Sequence, residues 1–230
     1  MSQTHNVPEK LRQHQVVPDV LPVGLDIPSN LVVQWPNTVL DSPGKYLDRQ
    51  DTQPEPKLYL DPPPSESHDN YVLIMTDPDL MSTNDTNFGQ VRHWLTTNVS
   101  TRDDGELVIP SEGNITRYVG PAPLPNSLTP RPHRYIFILA RPSSGTGKVD
   151  ITPAQLRELQ KPYPMAMSGN QTRRAHDLKD RWGFNAHELI KGAGLQVEGA
   201  TYMIVAGNLK SAATNIGLTG QAVFNKVSGS

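Results

Sequence analysis

Apolar residues fall into a few short blocks separated by long polar stretches marked by proline. Tyr71 to Thr76, YVLIMT, is a continuous apolar and β-branched run, the pattern of a strand buried on both faces. RYIFILA at 134–140 and TYMIVA at 201–206 repeat it, while LVVQW at 31–35 and the residues 57–60 give shorter strands. HWLTTNV at 93–99 alternates instead, with Trp94 and Thr96 on one face and Leu95 and Thr97 on the other. The TRDDG that follows predicts a hairpin-like reversal. Helical signals are confined to four segments. Pro8 and Glu9 open a short helix within 7–15, which Pro18 stops. Thr152 caps a second, with Pro153 at its first position and Pro162 beyond its end. A third, 172–182, carries Ala175, Leu178 and Trp182 on one stripe, and a fourth, 185–194, has Asn185 as cap and Gly192 or Gly194 as stop. Several short strands, few helices and long loops predict a mainly β fold, an antiparallel β-sandwich with peripheral helices.

Composition sharpens this picture. Proline, 22 of 230 residues, is about twice its ordinary usage, which suits short strands joined by stiff loops. The charge is nearly balanced, 21 basic against 23 acidic residues, so the basic excess that phosphate-backbone binding requires is missing and no nucleic-acid partner is expected. Without cysteine there are no disulfides, thiolate nucleophiles or thiolate metal sites. No apolar run approaches the roughly 20 residues of a membrane span, and the first 15 residues carry no apolar signal stretch, so a cytoplasmic protein without transmembrane segments is expected. One domain over 1–207 is expected, with 1–24 as a helical extension and 208–230 as a poorly ordered tail.

Chemistry concentrates at strand ends. In TDPDLM, 76–81, Asp77 and Asp79 bracket a proline that fixes the backbone between them. Taken alone this is a solvated turn. His93 opens the next strand, however, and His133 the one after, so polar groups gather where apolar strands begin and end. Two carboxylates repel an anion unless donors outweigh them, and histidines can supply those donors. A carboxylate that accepts from one imidazole nitrogen fixes the ring's tautomer and leaves the other nitrogen for a ligand.

YVLIMTDPD at 71–79, VRHWLTTNV at 91–99, RYVGPAP at 117–123 and PHRYIFILARP at 132–142 resemble, in order and spacing, the signature of the phosphatidylethanolamine-binding protein family. The N-terminal segment is also similar to the fungal branch that includes the carboxypeptidase Y inhibitor. The resemblance implies one small pocket for phosphate-like anions and phospholipid head groups, bounded by Asp77, Asp79, His93 and His133, with Tyr118, Gly120 and Pro123 as a loop wall. Phe88 falls where the family places a rim tyrosine. Tyr135 lies on the same side of its strand as His133, while Arg134 points the other way to brace the turn. Met81, Ala122, Leu124 and Arg131 depart from the family pattern: the glycines lost at 122 and 131 remove places where backbone N–H groups closely approach an anion, while Met81 and Leu124 add apolar lining.

The first functional expectation is a ligand-binding or inhibitor protein that acts through a protein partner such as a protease or kinase, as the resemblance implies. The alternative is an enzyme of fungal secondary metabolism that uses Asp77, His93 and His133 for acid–base isomerisation, cyclisation or condensation. A metal held by the two histidines and an aspartate is a third reading that the family pattern does not call for, and neither metal nor cofactor is expected.

Overall fold

The central strands form where apolar runs leave backbone groups that only a sheet can satisfy. The computed structural model describes residues 7–65, 69–80, 83–86, 88–123, 131–143, 147–160 and 180–207. In chain order the strands are β1 (Ser29–Gln34), β2 (Val39–Leu40), β3 (Lys45–Tyr46), β4 (Lys57–Asp61), β5 (Tyr71–Asp77), β6 (Val91–Thr101), β7 (Leu107–Val108), β8 (Asn114–Thr116), β9 (His133–Pro142) and β10 (Leu195–Val205). The helices are α1 (Val7–Gln13), α2 (Val16–Asp19), α3 (Pro153–Leu159) and α4 (Ala186–Gly192).

The strands join in one sheet of order β2-β1-β10-β9-β5-β6-β7, with β3 on β10, β4 on β1 and β8 on β6. Most pairs are antiparallel, as expected, but β1 and β3 both run parallel to β10, a pairing that the apolar pattern does not indicate. A bridge between Tyr59 and Glu106, with the Leu60 amide donating to the Gly105 carbonyl at 2.9 Å, ties β4 back to the β6–β7 reversal. The sheet thus curls until its two ends meet, which gives it an enclosed face and an outer face.

Side-chain alternation fills both faces. On the enclosed face Tyr135, Phe137 and Leu139 of β9 pack with Tyr71, Leu73, Met75, Trp94 and Trp35. On the outer face Ile136, Ile138 and Ala140 pack with Val72, Ile74 and the apolar sides of α1 to α4. A strand buried on both sides must be apolar throughout, which is why β5 is buried from Tyr71 to Asp77.

The hairpin after β6 forms as predicted, with Gly105 at φ +86 and Ser100 opposite Val108. α3 begins with a reciprocal cap between Thr152 and Gln155. The N-terminal helix differs from expectation: α1 ends at Gln13, Gln15 turns left-handed at φ 56, and Pro18 lies inside a second short helix. Of the helix expected over 172–182, residues 172–179 lie outside the described residues, and 180–182 form a turn. The tail 208–230 and residues 1–6 also lie outside them. Among the described residues no helix is long and apolar enough to cross a membrane.

Candidate functional site

Three strand ends meet at one end of the enclosed face. β5 runs into Asp77, β9 starts at His133, and β6 carries His93 near its start. The β5–β6 register shifts there: Met75 faces Trp94 but Thr76 faces Arg92, so His93 is the extra residue of a bulge. Bulges re-aim a side chain relative to the regular pleat. His93 meets the Tyr135 ring edge-on at 5.0 Å, and His133 stacks on the same ring at 6.4 Å.

Each imidazole has its Nδ1 engaged. His133 Nδ1 lies 2.9 Å from Asp77 Oδ2, and His93 Nδ1 lies 2.8 Å from the Val119 carbonyl. Carboxylate and carbonyl can only accept, so both rings carry a proton on Nδ1. Neither Nε2 has a hydrogen-bond partner among the described residues. Asp77 Oδ1 accepts from the Asp79 amide at 2.7 Å, and Tyr135, whose hydroxyl accepts from the Ala122 amide, also bonds to Asp77. Burial pushes the Asp77 carboxyl up, but His133, His93 and the Asp79 amide outweigh it and hold it below the usual range. Burial depresses the His93 imidazole, a tendency that Arg181 and His133 add to and Asp77 opposes. The Tyr135 phenol is driven well up by burial and then by Asp77, so it stays protonated.

Asp79 is used differently. Arg134 approaches it with its backbone amide at 2.9 Å and with Nε and Nη2 at 2.8 and 2.7 Å, while its Nη1 reaches Asp19 and the His14 carbonyl, each at 2.8 Å. The Asn84 amide donates to the same carboxylate at 2.9 Å. With Asp79 turned toward this guanidinium on the other side of the strand, Asp77 is the carboxylate left beside the two histidines.

The loop wall is built against a 3-10 turn at Gln50–Thr52 that no motif announced. Tyr118 packs edge-on against Trp94 at 5.2 Å; its hydroxyl donates to the Thr52 carbonyl at 2.7 Å and accepts from Trp35. Arg49 and Gln53 both donate to the Pro121 carbonyl at 3.0 Å. A Cβ on Gly120 would sit 2.8 Å from the Thr52 oxygen and the Gln53 Cα, so only glycine permits this approach. Pro123 ends the described part of the loop, and Met81 and Leu124 lie outside the described residues.

Phe88 packs its ring edge-on against Trp182 at 6.5 Å. Arg131 donates to the Asp79 carbonyl at 2.6 Å and to Thr83 at 2.9 Å, holding the turn from above. Arg49, Gln53, Thr52 and Arg181 support the site and were not found from sequence; their signal was only that of polar residues in loops. Among the described residues no group of three His, Asp or Glu side chains is arranged to hold a metal ion.

The family model described as phosphatidylethanolamine-binding protein matches residues 37–179. An uncharacterized protein of Saccharomyces cerevisiae is 25% identical over 203 residues, covering 85% of this chain and 91% of that protein. Among solved structures, the phosphatidylethanolamine-binding protein from Plasmodium vivax is similar with a TM-score of 0.62 at 22% identity, covering 87% of this chain and 97% of that one. A crystal structure of carboxypeptidase Y inhibitor complexed with its cognate proteinase gives a TM-score of 0.60 at 17% identity, covering 90% and 98%.

Proposed function

Because the chain belongs to the phosphatidylethanolamine-binding protein family, we propose that it is a binding protein whose pocket takes a phosphate-type anion, free or on a lipid head group, between His93 and His133. The observation that carries this reading is the pair of Nδ1-anchored imidazoles around Tyr135, each with an Nε2 that has no partner among the described residues. Nε2 of such a ring donates a charge-assisted hydrogen bond only once the ring has taken up a second proton, an uptake that burial opposes at His93 and a bound anion favours. Asp77 accepts from His133 Nδ1 and so fixes the orientation of that ring, while the negative charge of Asp79 is directed at Arg134. The repulsion that two adjacent carboxylates would exert is thereby reduced to that of one, already hydrogen-bonded, carboxylate. We further propose that ligand occupancy is passed to a protein partner, with a protease as the class, since the inhibitor of similar fold is complexed with a proteinase.

Isothermal titration with inorganic phosphate and with glycerophosphoethanolamine tests the pocket. Binding is expected in the parent and is expected to vanish in Asp77→Ala and His133→Ala, while both variants keep a cooperative unfolding transition. Unchanged affinity in both variants would remove the assignment. The Asp77–His133 dyad also supports a second reading, acid–base catalysis on an organic substrate in the same pocket. A bell-shaped dependence of turnover on pH, lost in His133→Ala, distinguishes it from capture alone.

A further inference from the structure

We infer that Arg181 is a positioning residue for His93, locking the bulge that aims this imidazole. The inference rests on the reading of His93 as a ligand group. At the bulge the carbonyls of Arg92 and His93 take side-chain donors from outside β5. Arg181 supplies them: its Nη1 lies 3.3 Å from the Arg92 oxygen and 3.1 Å from the His93 oxygen, and both Nη atoms lie 3.1 Å from the Arg117 oxygen. One planar guanidinium thus joins the strand that carries His93 to the start of the loop that fixes its ring. That loop grips His93 twice, through the Val119 amide on its carbonyl at 3.0 Å and the Val119 carbonyl on its Nδ1 at 2.8 Å.

Arg181 is itself held in place. The Arg92 amide donates to the Arg181 carbonyl at 2.8 Å, and Gln90 and Phe184 exchange backbone bonds at 2.9 and 3.0 Å, so residues 181–184 lie as a clasp along the entry to β6. A Cβ on Gly89 would come within 2.9 Å of the Gly183 Cα, which makes the approach of these two segments a glycine–glycine contact. Lysine carries the same charge but not the fork, and one ammonium cannot serve three carbonyls in the same geometry.

Two variants with two readouts test this. Nitrogen-15 spectra of the histidines in ligand-free protein report the tautomer and titration of His93, whose charged neighbours are Asp77 on β5, His133 on β9 and Arg181. In Arg181→Gln, His93 is expected to titrate at higher pH and to lose its fixed Nδ1–H tautomer. In Arg181→Lys the midpoint is expected to stay near that of the parent while the tautomer becomes mixed. Phosphate affinity is expected to fall by about tenfold in Arg181→Gln, the low end of what loss of an outer-shell partner costs. An unchanged His93 titration and tautomer in both folded variants would overturn the positioning role. If His93 responds but phosphate binds neither parent nor variant, the positioning role stands and the pocket reading fails.

Discussion

Neighbouring residues of β9 pair with neighbouring carboxylates of β5 and its turn on opposite sides of the sheet. His133 meets Asp77 at the enclosed face, and Arg134 meets Asp79 at the outer one. The outer pair is saturated. Arg134 is always charged, its guanidinium reaches two carboxylates and a backbone carbonyl, and hydrogen bonding to Asp79 and Asp19 raises its pKa further despite burial. The inner pair is left with capacity: one histidine nitrogen is committed to Asp77 and the other has no partner among the described residues. Pleat geometry sends His133 and Arg134 to opposite faces, since successive residues of a strand alternate, while Asp79 meets Arg134 from the turn beyond the end of β5. The difference teaches that HRY and DPD are two interleaved devices, a fixed clamp from Arg134 and Asp79 and an adjustable site from His133, Tyr135 and Asp77.

Breaking the clamp should have the largest effect. Asp79→Ala leaves the Arg134 guanidinium without its main partner in a buried position and is expected to destabilise the fold by about 3–5 kcal/mol in urea unfolding. Asp77→Ala should cost clearly less than that, because histidine has a neutral form available whereas an arginine cannot lose its proton. Equal losses from the two variants would erase the distinction between clamp and site.

Gly120→Ala comes next. The added methyl meets backbone of residues 52 and 53, which cannot move aside cheaply, so a loss of about 1–3 kcal/mol is expected with weakened phosphate binding as the loop wall shifts. A stability like the parent's would show that the wall is softer than its contacts indicate.

The smallest effect is the dependence of stability on pH. His93 has its folded pKa depressed below the ordinary 6.5, chiefly by burial, so as pH falls through about 6.5 the unfolded chain takes up a proton that the folded one resists. Stability is therefore present above 6.5 and declines below it. Asp77, depressed from 3.8, adds a second loss in the same direction that begins only near that pH. In His93→Gln the first decline should flatten and the second remain, as measured by melting temperature from pH 8 to 3. An unaltered first decline would assign it elsewhere.

Of the four long strands, β5, β9 and β10 were legible as the continuous apolar runs that burial on both faces demands and β6 by its alternation, and the ordered motifs around Asp77, His93, Tyr118 and His133 were legible as a resemblance. The two-residue strands β2, β3 and β7 were not, since two residues carry no period. The parallel attachment of β1 to β10 depends on contacts across some 170 residues, which local pattern does not encode. The end of the expected helix over 172–182 shows the limit of periodicity most plainly. Trp182 fits a helical stripe, yet it sits in a turn against Phe88, and Arg181 beside it is bonded to β6 backbone. Arg134, expected to brace the turn, does so, but its second partner Asp19 comes from a helix that sequence reading had ended before it began.

The most direct test of the division between clamp and site is a titration of the nitrogen-15-labelled protein with inorganic phosphate, followed at the histidine ring nitrogens. The expected result is that Nε2 of His93 and His133 shift with phosphate while their Nδ1 signals, held by Val119 and Asp77, remain bonded, and that the Arg134 side-chain signals stay fixed. Movement of the Arg134 signals with both Nε2 atoms unaffected at millimolar phosphate would contradict it.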